Sequence, residues 1–143
     1  MNIVLFIHHD SSGKGAALKA TIENNFQSLH LKTVHSSDTL KSELKKSHVF
    51  LEKKIFIILA DSETRLDKLS SMIDLMEGRQ IVLIIPEESK KIISKASRFF
   101  PRFFTPVSDA YDDLCSVLIK MTTHNNSNTK YCAKGDSENV RIY

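Results

Sequence analysis

Two carboxylates and a group of imidazoles stand where apolar runs end. Residues 3–7 are uninterruptedly apolar and give way to His8, His9 and Asp10; residues 55–60 are apolar again and give way to Asp61. A carboxylate released at the end of a buried strand faces solvent from a fixed backbone. There it can ligate a hard divalent cation, accept a phosphoryl group or, with imidazole beside it, share a zinc-like ion. His8 and His9 are neighbours, so on a strand end their side chains point to opposite sides and only one faces the crevice. With His35, Asp10 and Asp61 they supply metal-ligand types, but no two-histidine spacing of a known metal motif is present and no resident metal is expected. The plainer role for Asp61 is to end its strand and, through Ser62 and Glu63, to cap the helix that follows.

Asp10, Ser11, Ser12, Gly13, Lys14 and Gly15 have the hydroxyls and glycines of a turn whose backbone amides bind an anion at a helix start. The spacing of a P-loop fails, because no glycine stands five residues before Gly13 and no Ser or Thr follows Lys14. An ordinary capped turn accounts for the stretch. Its ligand-bearing alternative is a small flavodoxin-like protein holding a nucleotide or flavin phosphate, although the later loops offer Ser62, Glu63 and Thr64 or Pro86, Glu87 and Glu88 where a flavin takes aromatic residues. No nucleophile has a base and an orienting group visible beside it, so an enzyme is not expected.

The segments around these residues alternate in period. Strands are predicted over residues 3–7, 31–35, 53–60, 80–85 and 101–105, the fourth ended by Pro86 and the fifth by Pro106. A first helix from Lys14 carries Leu18, Ile22 and Phe26, with Ser11 or Ser12 as its N-cap; a second, after Ser36, Ser37 and Asp38, carries Leu40 and Leu44. A single third helix over residues 63–77 carries Leu66, Leu69, Ile73 and Met76 and closes at Gly78. A fourth opens at Glu87, Glu88 and Ser89 and carries Ile92, Ile93, Ala96 and Phe99. A fifth, from Ser108 and Asp109, carries Tyr111, Leu114, Leu118 and Met121. Residues 1–121 form one domain in this reading, and the polar, aperiodic residues 122–143 form a disordered tail.

Strands alternating with helices through short loops imply an α/β fold with a parallel sheet, right-handed crossovers and helices on both faces. The first, third and fourth strands are the most apolar and belong in the centre, which makes the order 2-1-3-4-5, the flavodoxin-like arrangement. Ligands of such sheets gather outside the carboxyl ends of strands one and three, where the winding reverses. His8, His9, Asp10 and Asp61 all fall there.

With those residues placed, the pattern from Asn2 to about Met121 resembles a response-regulator receiver domain. That family uses an acid pair after strand one, a phospho-accepting aspartate after strand three, a Ser or Thr after strand four and a Lys-Pro after strand five. By this resemblance Asp61 takes the phospho-acceptor position and His9 and Asp10 the acid pair. Pro86 stands in place of the hydroxyl, and Thr105, followed by Pro106, in place of the lysine. Phosphoryl transfer to a carboxylate needs a divalent cation held by several oxygens and a cation facing the phosphate. With those groups thinned out, the resemblance implies a degenerate or pseudo-receiver: a signal-transduction or protein-interaction module outside the usual aspartyl-phosphate cycle of two-component systems. An atypical receiver phosphorylated on Asp61, with Mg2+ held by Asp10 and Asp61, is the alternative. The family's usual partner surface, fourth helix to fifth helix, would here carry Lys90, Lys91, Lys95, Arg98 and Arg102 beside Asp109, Asp112 and Asp113. Other signalling proteins and a homodimer through those two helices are the partners it implies.

The composition narrows the class. The chain has 143 residues, 41% of them hydrophobic and 26% charged, and a net charge of +3 that does not call for a nucleic-acid partner. No apolar run reaches the roughly 20 residues of a membrane span, so no membrane association is expected. Two cysteines, Cys115 and Cys132, make neither a disulfide framework nor a zinc cluster. With strand beginning at Asn2 and no basic leader before it, the cytoplasm is the expected compartment.

Overall fold

A computed structural model describes residues 2–26, 30–46, 54–107 and 111–126. Strands β1 (Asn2–Phe6), β2 (His30–Val34), β3 (Lys54–Leu59), β4 (Gln80–Ile85) and β5 (Phe103–Pro106) form one parallel sheet in the order β2-β1-β3-β4-β5. Helices α1 (Ser12–Asn25), α2 (Ser37–Lys46), α3 (Glu63–Leu69), α4 (Ile73–Met76), α5 (Lys90–Ser97) and α6 (Asp112–Asn126) complete the flavodoxin-like layout. The sorting follows hydrophobicity. From Ile55 to Leu59 every β3 residue is buried, as in β4 from Ile81 to Ile85, because helices cover both faces of these strands. Edge strand β2 instead alternates exposed and half-buried positions until Val34.

Period-two alternation divides the core between the two faces of the sheet. Val4, Phe6, Phe56, Ile58 and Leu83 pack with Leu40 and Leu44 of α2, Leu66 and Leu69 of α3 and Ile92 and Ala96 of α5. Ile3, Leu5, Ile57, Leu59 and Ile84 pack with Leu18 and Ile22 of α1 and Leu114, Val117 and Leu118 of α6. Gly15 belongs to this second contact. A Cβ there would stand 2.1 Å from Ile7 Cγ2, so the absent side chain lets α1 lie against the end of β1. Gly78 (φ 79°) takes the left-handed conformation that its position after the helical segment predicts.

The long helix predicted over residues 63–77 is broken. Ser70 and Ser71 turn their hydroxyls back onto the carbonyls of Asp67 (2.5 Å) and Lys68 (3.0 Å), and Ser70–Met72 tightens into a 3-10 turn before α4. The turn rotates the helical face, so Met72 reaches the core fully while the predicted Ile73 is only partly buried. Helix α1 begins at Ser12, ahead of the expected Lys14, and α6 runs past Met121 to Asn126. The predicted start of the last helix at Ser108 and Asp109, and the tail from residue 127 with Cys132, lie outside the described residues. No helix among the described residues is long and apolar enough to cross a membrane.

Candidate functional site

Strands β1 and β3 pair from Asn2↔Lys54 to Phe6↔Ile58, so the segments leaving them emerge side by side at the carboxyl edge of the sheet. Ala60 N–H still donates to the Ile84 carbonyl (2.8 Å), and Asp61 is the next residue out. Ser62 caps α3 by accepting from the Arg65 amide at 3.1 Å. Capping is therefore done by the serine alone, and the Asp61 carboxylate turns towards α1. There Ser11 Oγ–H donates to Asp61 Oδ2 at 2.7 Å. Ser11 stands at the N-cap position of α1, yet its side chain makes no cap bond: the buried hydroxyl serves Asp61 instead.

One helical turn after Asp61, Arg65 folds its guanidinium back over the same site. Its Nε lies 3.7 Å from Asp61 Oδ1 and its Nη2 lies 3.8 Å from Asp10 Oδ2. The Arg65 and Asp61 side chains are 14% and 15% exposed, whereas that of Asp10 is 78% exposed. The Asp61 pair is accordingly the less screened of the two. Arg65 Nε is buried without a hydrogen-bond acceptor, so its attraction to Asp61 is Coulombic rather than hydrogen-bonded.

Of the two adjacent histidines, His8 faces inward, its ring edge-on to Phe6, while His9 is exposed and stacks edge-on against His8. His8 Nδ1 accepts the Asp10 amide at 3.2 Å, which requires a neutral ring protonated on Nε2. The 3.5 Å approach of the same nitrogen to Asp10 Oδ2 becomes an ion pair only on protonation, when that amide bond is lost. Burial, and then the nearby Arg65 charge, push the His8 pKa down and favour the neutral ring. His35 turns away, with Nδ1 bonded to the Ile7 carbonyl at 2.8 Å.

These positions do not fit a divalent cation. Asp61 has one oxygen taken by Ser11 and the other facing Arg65, Asp10 is largely in solvent, and the neutral His8 imidazole accepts from the Asp10 amide. Among the described residues, no three His, Cys, Asp or Glu side chains gather where they could hold a metal, so His8, His9, His35, Asp10 and Asp61 form no such set. The sheet register brings Pro86 and Thr105, at the ends of β4 and β5, to the same edge as Asp61. Proline offers neither a side-chain donor nor a backbone one there.

The basic cluster is partly committed within the chain. Lys95 Nζ binds both Asp67 Oδ1 and Glu63 Oε2 at 2.7 Å, and Lys91 reaches Glu63 at 3.1 Å, so these lysines tie α5 to α3. The Asp67 and Glu63 contacts raise the Lys95 pKa, and the two lysines lower that of Glu63. Lys90, Arg98 and Arg102 stay exposed, as do Asp112 and Asp113 at the start of α6; Asp109 lies outside the described residues. Sequence reasoning missed Arg65, Glu63 and Asp67 as partners. Arg65 had a signal, the i,i+4 spacing from Asp61 across a helix start.

No family model, curated protein or solved structure matches the chain. The site has to be read from its own chemistry: a half-buried carboxylate already supplied with one hydroxyl donor and one fixed cation.

Proposed function

We propose that the chain is a receiver-like protein-interaction module of the cytoplasm that binds partners and does not run an aspartyl-phosphate cycle. The observation that carries this reading is Arg65, whose guanidinium stands between Asp61 and Asp10, where phosphoryl transfer needs a divalent cation. A tethered guanidinium neutralises Asp61 but has no open coordination positions to bridge a carboxylate and a phosphate. Pro86 and Thr105 at the ends of the neighbouring strands add to the argument, since neither supplies a cation for a phosphate. An anion placed at the start of α1 would meet Asp61 through Ser11, which weighs against a nucleotide or flavin phosphate there. For partners, the turn between α5 and β5 suits best: exposed Phe100 stands between exposed Arg98 and Arg102. Aromatic and arginine side chains are the commonest anchors of protein interfaces.

The test is incubation of the purified protein with Mg2+ and acetyl phosphate, or with Mg2+ and beryllofluoride, followed by intact mass and amide NMR spectra. Mass and spectra are expected to stay unchanged. A phosphoryl adduct present in the native protein and absent from Asp61→Asn would overturn the reading in favour of a working receiver.

A further inference from the structure

Helix α5 ends in a turn with an uncommon backbone. Phe99 N–H donates to the Ala96 carbonyl (3.0 Å) and Phe100 N–H to the Ser97 carbonyl (3.1 Å), and Phe100 then takes the left-handed conformation, φ 49°. Among the described residues it is the one residue other than glycine to do so. Glycine usually fills this position after a helix, because a Cβ there crowds the following carbonyl oxygen. Core packing does not account for the phenylalanine either, since it is 80% exposed. A single exposed apolar side chain is ordinary at a protein surface. One that also strains its own backbone serves neither the helix end nor the core, and strain of this kind clusters at functional sites.

The turn holds the ring out on a fixed mount. Phe99 before it and Pro101 after it are buried, and Arg102 N–H donates to the Ile81 carbonyl of β4 at 2.7 Å. Phe100 cannot fold inward without drawing a neighbour out of the core. A rigid aromatic side chain with two rotatable bonds also loses little freedom when a partner covers it. Arg98 and Arg102 stand two residues to either side, both exposed, and among the described residues neither guanidinium has a hydrogen bond or ion pair. The sequence from Ser89 to Ser108 contains no acid. Lys91 and Lys95 of α5 are held by Glu63 and Asp67, so the uncompensated charge at this end of the helix belongs to the two arginines.

We infer, resting on the proposed role as a partner-binding module, that this turn docks an acidic peptide segment, an apolar side chain of which covers Phe100 while carboxylates on either side of it meet Arg98 and Arg102. A carboxylate matches the planar guanidinium fork through two parallel hydrogen bonds. Two arginines are too few for an anionic lipid surface, which is met by clusters of roughly four to eight basic residues. One ring gives a single stacking position, whereas grooves for single-stranded nucleic acid stack successive bases.

The probe is the capped peptide Ser-Asp-Glu-Leu-Leu-Glu-Asp-Ser, titrated into the full chain with amide NMR as the readout. Saturable shifts are expected at Arg98, Phe100 and Arg102, and the same peptide with Asn and Gln for its acids should bind at least roughly tenfold more weakly. Phe100→Gly should lose affinity by at least roughly tenfold while its chemical-denaturation midpoint stays level or rises, because glycine takes this conformation without strain. Arg98→Gln plus Arg102→Gln should weaken binding by a similar factor and flatten its dependence on salt. A lowered midpoint in Phe100→Gly would show the ring to be structural and overturn the proposal. Unchanged affinity in either variant, or no saturable shifts at the turn, would overturn it too. Binding of phosphatidylserine vesicles or of oligo-dT at lower concentration than the peptide, or self-association lost in Phe100→Gly, would give the turn to another occupant with the same result. Absence of peptide binding without an Asp61 phosphoryl adduct removes this partner alone; an adduct with peptide binding intact removes the pseudo-receiver reading alone.

Discussion

At the scale of single residues, the site is organised by what each polar atom already holds. His8 is the group whose charge state is poised. Its folded-state pKa lies below the ordinary 6.5, through burial first and then the Arg65 charge, with His9 and Lys68 acting in the same direction and Asp10 against them. The unfolded chain therefore takes up a proton at His8 before the folded chain does. Stability from this residue is fully present above pH 6.5 and is lost as pH falls from there to the lowered folded value. His8→Gln, which cannot titrate, should show a shallower loss of thermal midpoint between pH 7 and pH 5 than the native protein. Equal slopes would show that His8 is not the titrating group. Asp10 and Asp61 were legible in the sequence, because each lies in the polar segment that follows an apolar run. Arg65 was not singled out: one arginine on a polar helix face looks like any other until the chain direction after Asp61 is known. Ser11 was read as a cap, which is what a serine before a helix usually is; its diversion to Asp61 depends on two segments 50 residues apart meeting at one sheet edge.

At the scale of elements, the strands were readable because a buried parallel strand has little choice of residue. Uninterrupted apolar runs put β1, β3 and β4 in the centre and left the mixed β2 and the short β5 for the edges, and the sheet has that order. Helix continuity was less legible. The stripe of Leu66, Leu69, Ile73 and Met76 fits an unbroken helix, and only the pair Ser70 and Ser71, whose hydroxyls compete for backbone carbonyls, hints at the 3-10 turn that interrupts it. The contact of α1 with β1 was hidden as well, since Gly15 reads equally as part of a phosphate-binding turn. Its environment argues for packing: any Cβ would overlap Ile7, itself buried. Gly15→Ala gains in helix propensity but must displace that side chain, and overpacking of this kind costs about 1–3 kcal/mol. A lowered chemical-denaturation midpoint at unchanged slope is the expected result. A midpoint raised by the better helix former would mean that Ile7 yields without strain. Gly13, with nothing near its missing Cβ, is the matched control.

At the scale of the whole molecule, two cores share one set of strands. Phe56 and Ile58 of β3 face α2, α3 and α5, while Ile55, Ile57 and Leu59 of the same strand face α1 and α6. Neither core can be lost while the other keeps its inner wall, because a strand that leaves the sheet takes both sets of side chains with it. The candidate sites lie at the two ends of this sheet, the Asp61 site at the carboxyl edge and the Phe100 turn at the amino edge, so both depend on strand register that the cores maintain. Truncation on either face should therefore destabilise the same cooperative unit. Leu40→Ala in α2 and Leu118→Ala in α6 remove fully buried side chains from opposite faces, and each is expected to cost about 2–5 kcal/mol. Each variant should unfold in one transition, with far-ultraviolet circular dichroism and hydrogen-exchange protection of β1, β3 and β4 lost at the same denaturant concentration. If Leu118→Ala released α1 and α6 at a lower concentration than the strands, the two faces would be separate units. The amino-edge and carboxyl-edge sites would then no longer share a common frame.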